Sequence, residues 1–366
     1  NALFTATSAV CVTGLVVVDT ASSFSMFGEI VILILIQLGG LGFMTFGVVV
    51  AIMLGKKLSI KGRLLIQEST RSANVQGLVR LSLNIFTIAF LFEAAGGLVL
   101  AARLFPEMGA GRALYYGMFH SVSAFNNAGF VLWPDSLTRF AADPAINLTV
   151  SLLFITGGLG FTVIIDMYRK RRWRDLSLNS KISLLAAGGL IGGGFLVVFG
   201  LELLNPAAYG SMTWSERLWT TYFQSVTPRS SGFHTFNTAD LLTATQFFLL
   251  ILMFIGGSSG STAGGVKTNT FVVVLAAVYS SIRGREQVYL FDRKIPYESI
   301  MRALSVIIIS LGMISFVAIL LTITEPDQHF IALLFEATSA FCTVGLSLNV
   351  TPGLSSAGKI ILICTM

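Results

Sequence analysis

Four stretches of the chain share one shape: FTATSAVCVTGL (4–15), MFHSVSAFNNAGF (118–130), YFQSVTPRSSGF (222–233) and LFEATSAFCTVGL (334–346). Each is a short apolar and small-residue run, too short to cross ~30 Å of hydrocarbon, followed by a single glycine. The glycines are Gly14, Gly129, Gly232 and Gly345, which recur 115, 103 and 113 residues apart. The third copy has one residue fewer between its Ser/Thr and its glycine. A second motif follows. Gly39-Gly40-Leu41-Gly42-Phe43 begins 25 residues after the first glycine, Gly157-Gly158-Leu159-Gly160-Phe161 begins 28 after the second, and Gly256-Gly257 begins 24 after the third. A unit of helix, half-helix, glycine loop and helix therefore repeats four times. It occupies 1–60 (first helix missing), 75–175, 180–285 and 298–366 (last helix cut short).

Composition names the solvent. Of 366 residues, 54% are hydrophobic and only 11% charged, with a mean hydropathy of +0.80. A soluble chain of this length could not hide so much apolar surface. The formal charge of +6 and isoelectric point of about 9.3 therefore mark a membrane protein's loops, with no nucleic-acid partner. The three cysteines, Cys11, Cys342 and Cys364, lie in apolar runs without zinc spacing. No signal peptide opens the chain, and both ends read as cuts through a longer protein.

Apolar spans are expected near 27–54, 79–102, 145–167, 181–203, 246–280 and 301–323, with a seventh from about Ala357. Between them, 3–10, 113–125, 216–227 and 330–341 read as re-entrant half-helices. Three connections hold 17 of the 24 basic residues: 55–80 (Lys56, Lys57, Lys61, Arg63, Arg71, Arg80), 168–181 (Arg169, Lys170, Arg171, Arg172, Arg174, Lys181) and 281–302 (Arg283, Arg285, Arg293, Lys294, Arg302). The positive-inside rule makes these cytoplasmic. Asp19, Glu107, Asp135, Asp143, Asp240, Glu325 and Asp327 then face the other side, where a mildly acidic mouth concentrates cations.

The expected fold is an all-α membrane protein, with four parallel repeats in pseudo-fourfold arrangement around a central ion pore. Each half-helix aims its partly negative C-terminus at the membrane centre. The loop after it, unable to face lipid, must offer its carbonyls to an aqueous pathway. The filter residues are Cys11, Val12, Thr13 and Gly14; Asn126, Asn127, Ala128 and Gly129; Arg229, Ser230, Ser231 and Gly232; and Cys342, Thr343, Val344 and Gly345. No ring of carboxylates sits there, so backbone coordination of K⁺ is the natural reading. One glycine per copy is fewer than in the TVGYG filter, which implies weaker exclusion of Na⁺.

The third copy's second helix is interrupted by Gly256, Gly257, Ser258, Ser259, Gly260, Ser261, Thr262, Ala263, Gly264, Gly265 and Lys267. So many Gly and Ser residues cannot hold a straight helix, and 256–268 reads as a gate beneath the filter. A kinked helix with no gating role is the plainer alternative. A nucleotide P-loop fails, because Lys267 is one position late and no soluble fold surrounds it. Arg229 either sets the field near the ions or braces its loop, with Glu93 and Glu336 as candidate partners. Asn126 and Asn127 either donate side-chain amides or pack. His120, His234 and His329 are too scattered for a metal or catalytic site. A coupled transporter would carry inverted repeats and paired intramembrane carboxylates. An enzyme would carry a nucleophile–base or metal set. Neither pattern is found.

The four pore-loop motifs, the QLGGLGFMTF (37–46) and ITGGLGFTV (155–163) helices and the FIGGSSGSTAGGVKT loop (254–268) resemble the Trk/Ktr/HKT superfamily, over nearly the whole chain. The closest likeness within it is to the membrane subunits of bacterial Ktr potassium uptake systems. The resemblance implies four M1–P–M2 repeats, a K⁺ filter at Gly14, Gly129, Gly232 and Gly345, and an intramembrane gating loop at 256–268. It implies a homodimer in a bacterial cell membrane, resting on a cytoplasmic ring of RCK subunits (KtrA type). Those subunits would bind ATP or ADP, and this chain would bind no nucleotide. Sodium-dependent activation is a further family trait that no residue pattern here marks. The arginine that latches the gate loop in the last M2 helix of family members lies past Met366. A serine in place of a filter glycine marks the Na⁺-preferring plant branch, so four retained glycines favour K⁺ over a less selective Na⁺/K⁺ pathway. The basic loops fit either the ring or anionic headgroups.

Overall fold

The structure, a computed structural model, describes residues 1–42, 75–205, 209–210, 212–285, 287–291 and 293–366, with side chains of the 75–125 helix described from Ser82. The second half of the 27–54 span and most of the first basic connection lie outside the described residues.

The helices, in chain order, are α1 (Ala2–Val10), α2 (Met26–Gly40), α3 (Val75–Phe125), α4 (Pro144–Leu159), α5 (Phe161–Lys170) and α6 (Leu178–Glu202). There follow α7 (Trp214–Val226), α8 (Thr243–Phe254), α9 (Thr268–Ile282), α10 (Tyr297–Thr324), α11 (Phe330–Phe341) and α12 (Ser356–Thr365). A two-residue hairpin, Tyr289–Leu290 against Arg293–Lys294, joins α9 to α10. Local chemistry sets the starts. Ser25, Ser177 and Ser355 each cap a helix by accepting from the third backbone N–H beyond them. Asp143 caps α4, with proline at its first position. Thr213 and Glu216 form a reciprocal capping box on α7. Such caps satisfy donors that a helix start otherwise leaves bare.

Among the described residues, α6, α10 and the Ser82–Phe125 part of α3 are long and apolar enough to cross a membrane. The exterior is greasy: Leu98 on α3, Leu196 on α6, and Ile308, Ile309 and Ile323 on α10 are each more than 60% exposed. The interior is unusually polar, with Ser8, Thr13, Asn126, Asn127, Ser230, Ser231 and Ser339 all buried. An apolar exterior over a polar interior suits a protein whose solvent is lipid.

The half-helices fall where the sequence placed them: α1, α7, α11 and the last part of α3. The last is joined to its span by the turn at Gly109 alone. Residues 75–125 are two helical arms folded back on each other at Gly109, φ 74°, so that Gly117 lies against Gly97 and Ser121 Oγ donates to Glu93 O at 2.6 Å. The expected 145–167 span is not one rod. At Gly160, φ 90°, the chain bends by 92° from α4 into α5. The expected 246–280 span is likewise two helices, α8 and α9, separated by the glycine-rich stretch.

Candidate functional site

Each half-helix ends four to six residues before its glycine, and the chain then makes the same two unusual turns. The residue two before the glycine is left-handed: Val12 at φ 55°, Asn127 at 60°, Ser230 at 64° and Thr343 at 48°. The glycines follow at 85°, 71°, 72° and 87°. Backbone donors between them point back to the helix: Thr13 N to Ser8 O (2.8 Å), Ala128 N to Ser123 O (2.8 Å) and Val344 N to Ser339 O (2.9 Å). With donors consumed backwards, the carbonyls are left for the other side.

Those carbonyls meet the neighbouring glycine. A Cβ on Gly14 would lie 2.5 Å from Ala128 O, one on Gly129 2.9 Å from Ser231 O, and one on Gly232 2.9 Å from Val344 O, while one on Gly345 would collide with Thr13 O. The order closes on itself: 14 to 129, 129 to 232, 232 to 345, 345 to 14. Both the φ values and these approaches exclude any residue with a side chain. All four glycines line one cavity of about 310 Å³, with Asp19 at its wall.

The one-residue difference in the third copy has a structural counterpart. Ser123 Oγ donates to Phe130 O, seven residues on, at 2.7 Å. Thr227 Oγ1 makes the same clasp to Phe233 O, six residues on. A hydroxyl thus holds the segment after the glycine in the second and third copies, and the shorter loop reaches it from the residue after its helix.

The paired glycines of the second motif work beneath the helix ends. A Cβ on Gly39 would collide with Val10 O, the end of α1, and one on Gly157 with Phe125 O, the end of α3. The third counterpart opens the glycine-rich stretch. There Gly256 N donates to Val266 O (3.0 Å), Gly257 N to Gly264 O (3.3 Å), and Thr268 Oγ1 to Gly256 O (2.8 Å), so the stretch doubles back on itself. Its tip touches three of the four glycine loops. Thr262 Oγ1 donates to Asn127 Oδ1 (2.9 Å), Gly264 N to Ser230 Oγ (3.2 Å), and Gly264 leaves no room for a Cβ against Cys342 O and Thr343. Ser258 N and Thr262 N donate to Gly158 O (2.9 Å) and Gly157 O (3.3 Å) on α4. Lys267 curls back, Nζ donating to Ala263 O within the stretch.

Other singled-out residues stand behind the loops. Arg229 is buried beside a small cavity walled by Phe154, Ile155, Val226 and Gly257. It does not pair with Glu93, which accepts from Gln37 Nε2 (3.0 Å) and Asn126 Nδ2 (2.9 Å). Nor does it pair with Glu336, which accepts from Ser347 and Thr351 hydroxyls. Asn126 thus braces α2 and α3 with its side chain, and Asn127 holds the glycine-rich tip. His120 stacks on Trp133 (4.1 Å) and accepts from Leu132 N at 3.1 Å, bracing the second strand after its glycine. Gln37, Glu93 and the Glu336–Ser347–Thr351 clasp were invisible as a set, because their members lie far apart in sequence. Among the described residues no cluster of three His, Cys, Asp or Glu could hold a metal ion.

Glu336 gives a stability test. Glu336→Ala removes the acceptor of the buried Thr351 hydroxyl and the half-buried Ser347 hydroxyl, at a cost of about 2–4 kcal/mol. Thermal unfolding in detergent is expected several degrees lower, with Glu336→Gln in between.

The model of the TrkH family, described as a cation transport protein, matches residues 1–366. The chain belongs to that family. The Ktr system potassium uptake protein B of Bacillus subtilis is 44% identical over the whole chain and 82% of its own length. Its namesake in Vibrio alginolyticus is 40% identical, covering all of this chain and 81% of its own. The potassium/sodium uptake protein NtpJ of Enterococcus hirae is 36% identical, covering all of this chain and 82% of its own. The crystal structure of the potassium transporter TrkH from Vibrio parahaemolyticus matches with a TM-score of 0.76, covering 99% of this chain and 74% of that one; at 19% identity this likeness concerns the fold. This TrkH-family chain is therefore a multi-pass membrane protein of a cation-transport family.

Proposed function

We propose that the chain takes up potassium ions through a channel-like pore formed by four parallel repeats around one axis. One observation carries this: the closed order of four glycine loops, whose Thr13, Ala128, Ser231 and Val344 carbonyls crowd a common centre. The ligands there are neutral dipoles, which suit a dehydrated monovalent cation better than a divalent one. The four half-helix C-termini add partial negative charge toward the same place. The left-handed glycine in all four copies, at φ between 71° and 87°, supports a filter built by repetition rather than a single-sided binding pocket.

The stretch 256–268 is the gate. Its tip is bonded to the undersides of the second and third loops and packed against the fourth, so an ion leaving the ring must displace it. Regulation comes from outside the membrane. The Ktr relatives are named as parts of a system, which supports a partner subunit; the resemblance implies that this partner is a cytoplasmic nucleotide-binding ring docked on a homodimer of this chain.

The test is ⁸⁶Rb⁺ uptake into liposomes holding the full-length protein under a K⁺ gradient, with Na⁺ as competitor. Uptake that resists Na⁺ is expected. A second reading, a shared Na⁺/K⁺ pathway, is favoured by the name of the Enterococcus hirae relative and predicts uptake blocked equally by Na⁺. No uptake, even with added cytosolic extract, overturns both.

A further inference from the structure

Helix α5 is the part of the second repeat that a simple span does not explain. Helix α4 covers ~24 Å in its sixteen residues, nearly the thickness of a hydrocarbon core. The chain then turns by 92°, and α5, ten residues long, runs at right angles to α4, which places it across the membrane direction where α4 spans it. It buries Phe161 and Val163 and packs on α6. Its far end presents Met167, Tyr168 and, after the turn, Trp173 as exposed apolar side chains. Interleaved with them are Arg169, Arg171, Arg172 and Arg174, all exposed. Lys170 is already paired with Asp166 at 2.8 Å; among the described residues no ion pair holds the four arginines.

The turn is pinned close to the bilayer. Asp166 accepts from Ser177 N (2.8 Å) and Ser180 Oγ (2.7 Å), tying α5 to the start of α6, which re-enters the apolar region at once. Leu176 between them is buried. The basic cluster has no length of chain with which to reach away from the surface. The 283–296 connection, with its hairpin, is longer. An in-plane helix with aromatic residues among exposed arginines at its end is built for the headgroup layer.

The other end of α5 touches the gate. Phe161 N donates to Gly260 O at 3.0 Å, and a Cβ on Gly160 would stand 2.9 Å from Ser259 O. The glycine-rich stretch and the basic turn are thus joined by one ten-residue helix.

We propose that the turn of Arg169, Arg171, Arg172 and Arg174, with Tyr168 and Trp173, binds anionic phospholipid headgroups, and that α5 carries this occupancy to the gate loop. The transmission half rests on reading 256–268 as the gate; the binding half does not.

Two readouts separate them. The first counts phosphatidylglycerol retained per full-length chain by native mass spectrometry. The second compares ⁸⁶Rb⁺ uptake in phosphatidylcholine vesicles with and without roughly 30 mol% phosphatidylglycerol. The variants are all four arginines to Gln, all four to Lys, and a chain lacking Ser258–Ala263. The wild type and the Lys variant are expected to retain the lipid and to show uptake changed by about threefold or more when it is present, since headgroup attraction follows charge. The Gln variant is expected to lose both, with unchanged uptake in neutral vesicles showing that it folds. Lipid retained equally by the Gln variant overturns the binding site. Retention lost with no effect on uptake overturns the transmission. A Gln variant that keeps its lipid but no longer responds to cytosolic extract assigns the turn to a protein partner and overturns the proposal. Should the chain lacking Ser258–Ala263 show no rise in basal uptake, the gate reading itself fails while the retention count still stands.

Discussion

Gly345→Ser is expected to lower the preference for Rb⁺ over Na⁺ by about tenfold or more, a change of ~1.4 kcal/mol between two ions. The reason is geometric. Gly345 sits at φ 87°, and a Cβ there would collide with Thr13 O and stand 3.0 Å from the Gly14 Cα. Any side chain must rotate that carbonyl or open the ring between the fourth and first loops. Left-handed backbone in a residue with a side chain costs about 1–2 kcal/mol before the collision is counted. Strain at one joint spreads, because each carbonyl is seated against the next glycine. The same substitution at Gly129, where the nearest approach is 2.9 Å, should be milder. Competition of Na⁺ against ⁸⁶Rb⁺ uptake reads both. Unchanged competition in Gly345→Ser would remove the carbonyl ring as the source of selectivity.

Excising Ser258–Ala263 is expected to raise uptake without any regulatory partner by about tenfold or more. The hairpin bonds Gly256 N to Val266 O and Gly257 N to Gly264 O bring the cut ends together, so the excision leaves α8 and α9 in place. What is lost is the tip, held on the second repeat by Ser258 N, Thr262 N and Thr262 Oγ1 and by Gly260 O, which accepts from Phe161 N. Four such bonds at about 1 kcal/mol each keep the tip seated for most of the time. They are weak enough for a conformational signal of a few kcal/mol to lift it. Uptake that falls in the excised protein, with unchanged thermal unfolding, would make the stretch a structural part of the pathway rather than its gate.

Much of this could be read before any coordinates. The repeated half-helix and glycine survive in the sequence because each copy faces the same backbone problem and only glycine solves it. The interruption at 256–268 was legible for the complementary reason, that no helix tolerates that density of Gly and Ser. The bend at Gly160 was not. Leu159 and Phe161 flank it with apolar side chains, so the run keeps the composition of a span while the backbone turns by 92°. The break at Gly109 was legible by contrast, since it falls between the expected span 79–102 and the expected half-helix 113–125. Long-range polar sets were also out of reach. Gln37, Glu93 and Asn126 come from three places in the chain, and only packing brings their donors and acceptors within 3.0 Å. Arg229 shows the limit most sharply. It was expected among the filter residues with its neighbours in sequence, yet its side chain turns to a different cavity, behind the loop.

A monovalent cation is expected to sit among the carbonyls of Thr13, Ala128, Ser231 and Val344. Anomalous diffraction from crystals of the full-length protein grown with Rb⁺ or Tl⁺ tests it directly. A peak on the axis between Gly14, Gly129, Gly232 and Gly345, absent in Gly345→Ser, is the expected result. Cation peaks confined to carboxylates such as Asp19, with none inside the ring, would contradict it.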